Sequence, residues 1–307
     1  MTSVLALRPR SALALFLASV VGLVGFGWPF LTGATSTLAG HSADSPYLFL
    51  LLLPLVVGVV LAELSEGGMD AKAVAMLGVL AAAGTALRAL SPGTGGLEPT
   101  LFLVVVAGRV FGAGFGYALG TTVILASSLV TAGVGPWMPF QMVGLAWVGL
   151  LAGLLPVVTG RAERVLLAVY AGVAGFGYGA LLNLSFWPFS RSLPEAMAYV
   201  PGDSTAANLR HYAAFYVTTS FGWDCVRALV NAVLVLVAGR VVLATLRRAA
   251  RRAAFAATTS FDAPTTSRGA PRLREPSPEE DAGDPERHGG AGPQVTGRPD
   301  TTSWTSP

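Results

Sequence analysis

Apolar stretches close to twenty residues long recur between Ser11 and Leu246 of this 307-residue chain, separated by turns and loops rich in Gly, Pro and Arg. A bilayer core about 30 Å thick is crossed by about 20 apolar residues in a helix. The pattern therefore restricts the chain to an all-α, polytopic membrane protein. Composition agrees: 53% of residues are hydrophobic and 12% charged, with a mean hydropathy of +0.61, against about 25% charged in soluble domains. Eight spans are predicted, at 11–31, 47–64, 71–90, 98–110, 115–132, 138–156, 165–187 and 211–246. The first is too long for the apolar region of a cleavable signal peptide.

The stretch from Glu98 to Gly133 is too long for one helix and short for two. Gly108, Gly112, Gly116 and Gly120 recur at every fourth position. They suit either a packing stripe on a single helix or, within Gly108-Arg-Val-Phe-Gly-Ala-Gly114, a tight turn that glycine permits. Arg109 favours the turn and two short helices, because on a continuous helix its charge would sit at mid-bilayer. With eight spans, Arg8, Arg10, Lys72, Arg109, Arg161, Arg164, Arg247, Arg248, Arg251 and Arg252 fall on one side, against Arg88, Arg191 and Arg210 on the other. The excess of basic residues predicts both termini in the cytoplasm of a cell-membrane protein. Beyond about residue 250, Pro, Ser, Thr, Gly and mixed charges take over, too little apolar surface to fold alone.

Polar groups within the spans are few. Asp224, Arg227 and Asn231 stand at spacings of three, four and seven, which places them on one helical face. Ionisable groups at membrane depth are expensive and mark functional sites by default. The face is either part of a ligand pocket or an Asp–Arg pair that neutralises itself and fixes the helix to a neighbour. Trp223 adjoins it. Trp137 and Gln141, in the Pro- and Gly-rich segment 131–141, and Asn183 and Trp187, at the end of the seventh span, lie at the same predicted outer level. Aromatic faces there would stack on a ring while polar groups orient it. The outer loop 188–210 is either a lid or a solvated connection. On the third span, Ala71, Ala75, Gly78 and Ala82 share a small-residue face that Ala86 continues. Such a face suits close packing within the chain or docking of a partner.

Catalytic and metal signatures are missing. Cys225 is the single cysteine, and His41, His211 and His288 have no metal-site spacing. There is no His-Glu-x-x-His, no Gly-x-Ser-x-Gly and no Walker A loop. No enzyme activity, metal or cofactor is therefore expected, and the chain cannot power transport from ATP by itself. Glu63, Glu66 and Asp70 form a tight carboxylate cluster, read as a solvated helix start. Nineteen of the twenty basic residues are Arg, a coding bias rather than a sign of nucleic-acid binding.

Several short motifs in fixed order resemble the substrate-binding S components of energy-coupling factor (ECF) vitamin importers. They are Leu77-Gly78-Val79-Leu80-Ala81, Ala107-Gly108-Arg109-Val110-Phe111-Gly112, Gly133-Val134-Gly135-Pro136-Trp137-Met138-Pro139-Phe140-Gln141-Met142, Trp147-Val148-Gly149-Leu150-Leu151-Ala152-Gly153-Leu154-Leu155-Pro156 and Trp223-Asp224-Cys225-Val226-Arg227-Ala228 leading to Asn231. The resemblance implies a six-helix core over 70–248, preceded by two extra transmembrane helices in 1–69 and followed by a disordered cytoplasmic tail over 249–307. It further implies a vitamin-like ligand near the outer face, a coupling membrane subunit and two cytoplasmic ATP-binding subunits. In such proteins an Ala-x-x-x-Ala face on the first core helix docks the coupling subunit; the matching residues are Ala71 and Ala75, with Ala82 and Ala86 a second pair. The chain departs from the pattern at Ala113, where many relatives have proline.

The expected function is capture of a vitamin or precursor from outside by Trp137, Gln141, Asn183, Trp187, Trp223, Asp224, Arg227 and Asn231, with release driven by partner ATPases. Two other classes fit the residues. One is a proton-coupled secondary transporter built on Asp224 and Arg227, although no internal repeat of the usual kind is present. The other is a non-catalytic membrane subunit of another complex.

Overall fold

A computed structural model of the chain describes residues 9–31, 58, 71–91, 94–190 and 192–257. Apart from Gly58, the predicted span 47–64 lies outside the described residues, as do the carboxylates Glu63, Glu66 and Asp70, Arg191 and the tail from 258 onward. What is described contains helices and no strand: α1 (Pro9–Leu31), α2 (Ala71–Leu90), α3 (Thr100–Phe111), α4 (Ala113–Val130), α5 (Met138–Leu154), α6 (Gly160–Phe186), α7 (Thr205–Thr219) and α8 (Phe221–Ala257). Five segments are long and apolar enough to cross a membrane: Ala12–Leu31, Ala71–Leu90, Ala113–Val130, Gly160–Phe189 and Phe221–Arg252. The chain is a multi-pass helical membrane protein.

The helices at 98–110 and 115–132 are indeed separate, and Gly112 divides them with φ 106° and ψ 174°. A Cβ placed on Gly116 would lie 3.0 Å from the Cα of Gly108. Eight residues along a straight helix rise about 12 Å, so the chain reverses here. The glycine series is also a packing stripe. A Cβ on Gly108 or Gly116 would strike the carbonyl of Gly149 on α5, one on Gly120 the carbonyl of Leu145, and one on Gly149 the carbonyl of Gly116. The α3–α4 hairpin thus lies backbone to backbone on α5, the close approach that small residues permit in lipid.

Two predicted spans need correction. The span at 98–110 is α3, whose 12 residues rise only about 18 Å, short of a bilayer core. All but Arg109 are buried among α2, α4, α5, α6 and α8. The span at 211–246 is two helices. Ser204 caps α7 by accepting from the Ala207 N–H at 3.2 Å, and the chain breaks at Ser220, with φ −131° and ψ −24°. From there α8 runs through the expected tail boundary to Ala257, because the Arg/Ala-rich segment after Thr245 consists of strong helix formers.

The N-terminal helix belongs to the bundle. The Trp147 indole N–H donates to the Ser19 hydroxyl at 3.0 Å, and Phe26 meets Phe140 edge-on with ring centroids 5.1 Å apart. On α2 the buried face is Ala73, Leu77, Leu80, Ala81 and Gly84, whereas Ala71, Ala75, Gly78, Ala82 and Ala86 are all exposed. The described part of the loop 188–210 is tied down by hydrogen bonds. Trp187 donates its indole N–H to the Met197 carbonyl at 2.7 Å, and the Asn208 side chain both donates to and accepts from the backbone of Val200.

Candidate functional site

Arg88 closes α2 and Glu98 stands two residues before α3. Between them a turn of Gly95 (φ 64°) and Gly96 (φ 79°) reverses the chain, and the Ser91 hydroxyl ties it by donating to Leu97 O at 2.6 Å. Gly96 sits against the Trp223 carbonyl with no room for a Cβ, which docks the turn on the start of α8. Glu98 is thereby carried to Arg227. Its Oε2 accepts from Arg227 Nε at 2.9 Å and its Oε1 from Arg88 Nη1 at 3.0 Å.

The pairing extends in both directions. Arg227 Nη1 donates to Asp224 Oδ1, and the Tyr216 hydroxyl donates to Asp224 Oδ2 at 2.8 Å. At the far end Arg88 Nη2 donates to Gln141 Oε1 at 2.8 Å. The Arg227 guanidinium also lies 5.8 Å from the centroid of the Tyr178 ring. The side chains of Glu98 and Asp224 are 5% and 2% exposed, those of Arg88 and Arg227 18% and 12%. Gln141, Arg88, Glu98, Arg227, Asp224 and Tyr216 form one formally neutral chain joining α5, α2, the entry to α3, α8 and α7. Glycine makes the space for it: a Cβ on Gly179 of α6 would overlap the Asp224 carboxylate.

Asn231 has a different task. Its Oδ1 accepts from the Phe102 N–H at 2.8 Å, and its amide donates to Glu98 O at 3.0 Å and to Arg227 O at 2.9 Å. The first N–H groups of a helix lack internal partners, and α3 begins after Pro99 with no side-chain cap of its own. Asn231 supplies that cap from α8.

Of the other predicted residues, Asn183 ties α6 to Ser220 just before α8. Its amide donates to Gly179 O at 2.8 Å and its Oδ1 accepts from the Ser220 hydroxyl at 2.8 Å. Trp187 is fully buried, with ring centroids 5.3 Å from Tyr212 and 5.4 Å from Tyr199; Tyr212 in turn lies 6.2 Å from Tyr216. Trp137 is 52% exposed and donates to the Gly133 carbonyl at 3.2 Å; Trp223 is 50% exposed. Neither hydrogen-bonds to the charged chain among the described residues. Sequence reasoning missed Tyr178 and Tyr216 and did not pair Arg88 with Glu98. A signal for that pair was present: opposite charges end consecutive apolar segments on either side of a Gly- and Pro-rich turn.

The other end of the bundle is held by a second group. Arg109, in the last turn of α3, donates through Nη1 to Leu155 O at 2.9 Å and through Nη2 to Val158 O at 3.3 Å, just past the end of α5. A guanidinium at a helix C-terminus satisfies unpaired carbonyls and the negative end of the dipole. Its Nε donates at 2.8 Å to Glu163 Oε1, which also accepts from Arg247 Nη2 at 2.6 Å. Among the described residues no cluster of three or more His, Cys, Asp or Glu could hold a metal ion. Comparison with protein-family models, curated proteins and solved structures finds no match to this chain.

Proposed function

We propose that this chain is the substrate-capture subunit of an ECF-type importer, binding a vitamin-like heterocycle with polar arms and performing no catalysis of its own. The observation that carries the reading is the buried Arg88–Glu98–Arg227–Asp224 chain beside Tyr178, Tyr212 and Tyr216. Buried ion pairs contribute little net stability over apolar packing, and at membrane depth they accompany ligand or ion sites. The two ends of the chain are where a ligand enters: a donor group takes the place of Tyr216 on Asp224, an acceptor group that of Gln141 on Arg88, and the tyrosine rings stack on the heterocycle. The side with few basic residues faces outward. The Ala71/Ala75/Gly78/Ala82/Ala86 face of α2, exposed among the described residues, supports docking of a coupling subunit, with ATP-binding subunits behind it.

The test is native mass spectrometry of the detergent-purified chain with a panel of vitamins and their precursors. One adduct is expected, strengthened about tenfold in Tyr216→Phe, because the ligand's donor then displaces no hydrogen bond from Asp224, while every ion pair stays in place. A wild-type chain that retains nothing from the panel overturns the proposal. That result would favour the structural-subunit reading, which the complete internal pairing of the four charges supports. A proton-coupled transporter would instead take up substrate in vesicles holding this chain alone. On the proposed reading no such uptake occurs.

Docking has its own expected outcome. Ala75→Trp and Ala82→Trp place a bulky ring on an exposed face, so folding and ligand retention should be unchanged while co-purification of partner subunits is lost. Persistence of the complex in both variants would remove this face from the interface.

A further inference from the structure

Where α6 begins and α8 ends, a cleft of about 660 Å³ lies between them. Six arginines line it: Arg161 and Arg164 from α6, and Arg240, Arg247, Arg248 and Arg251 from α8. Glu163 is the one acid in that lining, and its carboxylate is buried and already engaged by Arg109 and Arg247. Among the described residues the other five guanidiniums meet no carboxylate; Arg248 donates only to the Thr245 hydroxyl, at 3.2 Å. Uncompensated like charges in one concavity repel each other and focus a strong positive potential on it.

Two features define which anion. Arg240, Arg247 and Arg251 follow one stripe of α8 through Ala244, at steps of four, three and four. Toward the middle of the helix the same stripe continues through Val237 and Val233, 76% and 45% exposed. On α6, Val165, Val169 and Val173 follow Arg161 at four-residue steps and are likewise exposed. Among the described residues the positive cleft therefore adjoins exposed apolar surface on both helices. Forked guanidiniums match phosphate oxygens in pairs, and basic pockets between transmembrane helices hold acidic headgroups. We propose that this cleft binds a phosphate group, and that the adjoining valine stripes make an anionic phospholipid its source, with the headgroup among the arginines and the acyl chains along α6 and α8. The inference is independent of the proposed import function.

The full chain in non-ionic detergent is titrated in parallel with dioleoyl phosphatidylglycerol and dioleoyl phosphatidylcholine and read by native mass spectrometry. Phosphatidylglycerol should be retained at collision energies that strip phosphatidylcholine. Arg164→Gln combined with Arg248→Gln should weaken it about tenfold or more without lowering the unfolding temperature, since neither residue carries an ion pair. Arg161→Gln with Arg251→Gln gives a second, separate pair, and the lysine versions should fall between. Displacement of the lipid by excess inorganic phosphate would keep the phosphate site and assign it to a soluble anion. Equal retention of both lipids, or wild-type binding by both glutamine pairs, overturns the proposal.

Discussion

Glu98→Ala is expected to be among the most damaging single changes in the protein, lowering the unfolding temperature in detergent by about 10 °C. One carboxylate accepts from two guanidiniums, Arg88 at 3.0 Å and Arg227 at 2.9 Å. Its removal leaves Arg88 with Gln141 and Arg227 with Asp224, and four charges that summed to zero become three. Breaking a buried pair by removing one partner costs about 3–5 kcal/mol, and 1 kcal/mol moves the midpoint of a domain this size by about 2–4 °C. Arg227→Ala should match it, since Asp224 then keeps only the Tyr216 hydroxyl and Glu98 only Arg88. Arg227→Lys should fall between, because a point charge cannot span both carboxylates as the fork does. Glu98→Gln keeps the hydrogen-bonding shape and loses the charge, so the gap between Gln and Ala separates electrostatics from geometry. An unchanged midpoint in Glu98→Ala would mean that the charged chain holds nothing together.

The long spans were readable because apolar length alone decides whether a helix can cross a bilayer, and α1, α2, α4 and α6 begin and end within about five residues of the predicted positions. Arg109 made the turn at Gly112 readable, since its charge had to reach an end of the bundle. The single face of Asp224, Arg227 and Asn231 followed from spacing: Asp224 and Asn231 are 1% and 0% exposed, while Trp223, Val226 and Leu229 point outward. The partners were not readable. Glu98 meets Arg227 across 129 positions of sequence, and only folding decides which of several polar residues at one level touch. The break at Ser220 left no trace in hydropathy, because Phe215–Tyr216–Val217 and Phe221 lie on both sides of it. It is made by hydrogen bonds, with the Ser220 hydroxyl on Asn183 and the Asp224 N–H on the Ser220 carbonyl. The same break hid Tyr216, whose approach to Asp224 depends on the angle between two helices rather than on a helical period.

Gly149→Val is expected to prevent the bundle from forming, and Gly149→Ala to lower its stability by about 1–3 kcal/mol, the usual cost of forcing extra atoms into a packed core. The collision is with main chain, which cannot rotate away. A Cβ at this position meets the Gly116 carbonyl and lies 2.8 Å from the Gly116 Cα. Relief requires α5 to move off α4, and α4 is tied to α3 through the turn at Gly112. Thus Gly108, Gly116 and Gly120 would lose their contacts together. Gly78→Ala is the matching control. It lies on α2 in open space, where an added Cβ meets nothing within 4 Å, and exchanging glycine for alanine in a helix gains about 1 kcal/mol of propensity. Opposite signs for these two glycines, read by thermal unfolding of the detergent-solubilised chain, would locate the stability of the fold in the backbone contact of α3 and α4 with α5. A neutral Gly149→Ala would instead require that α5 has room to shift, and with it Gln141, the residue of α5 that meets Arg88.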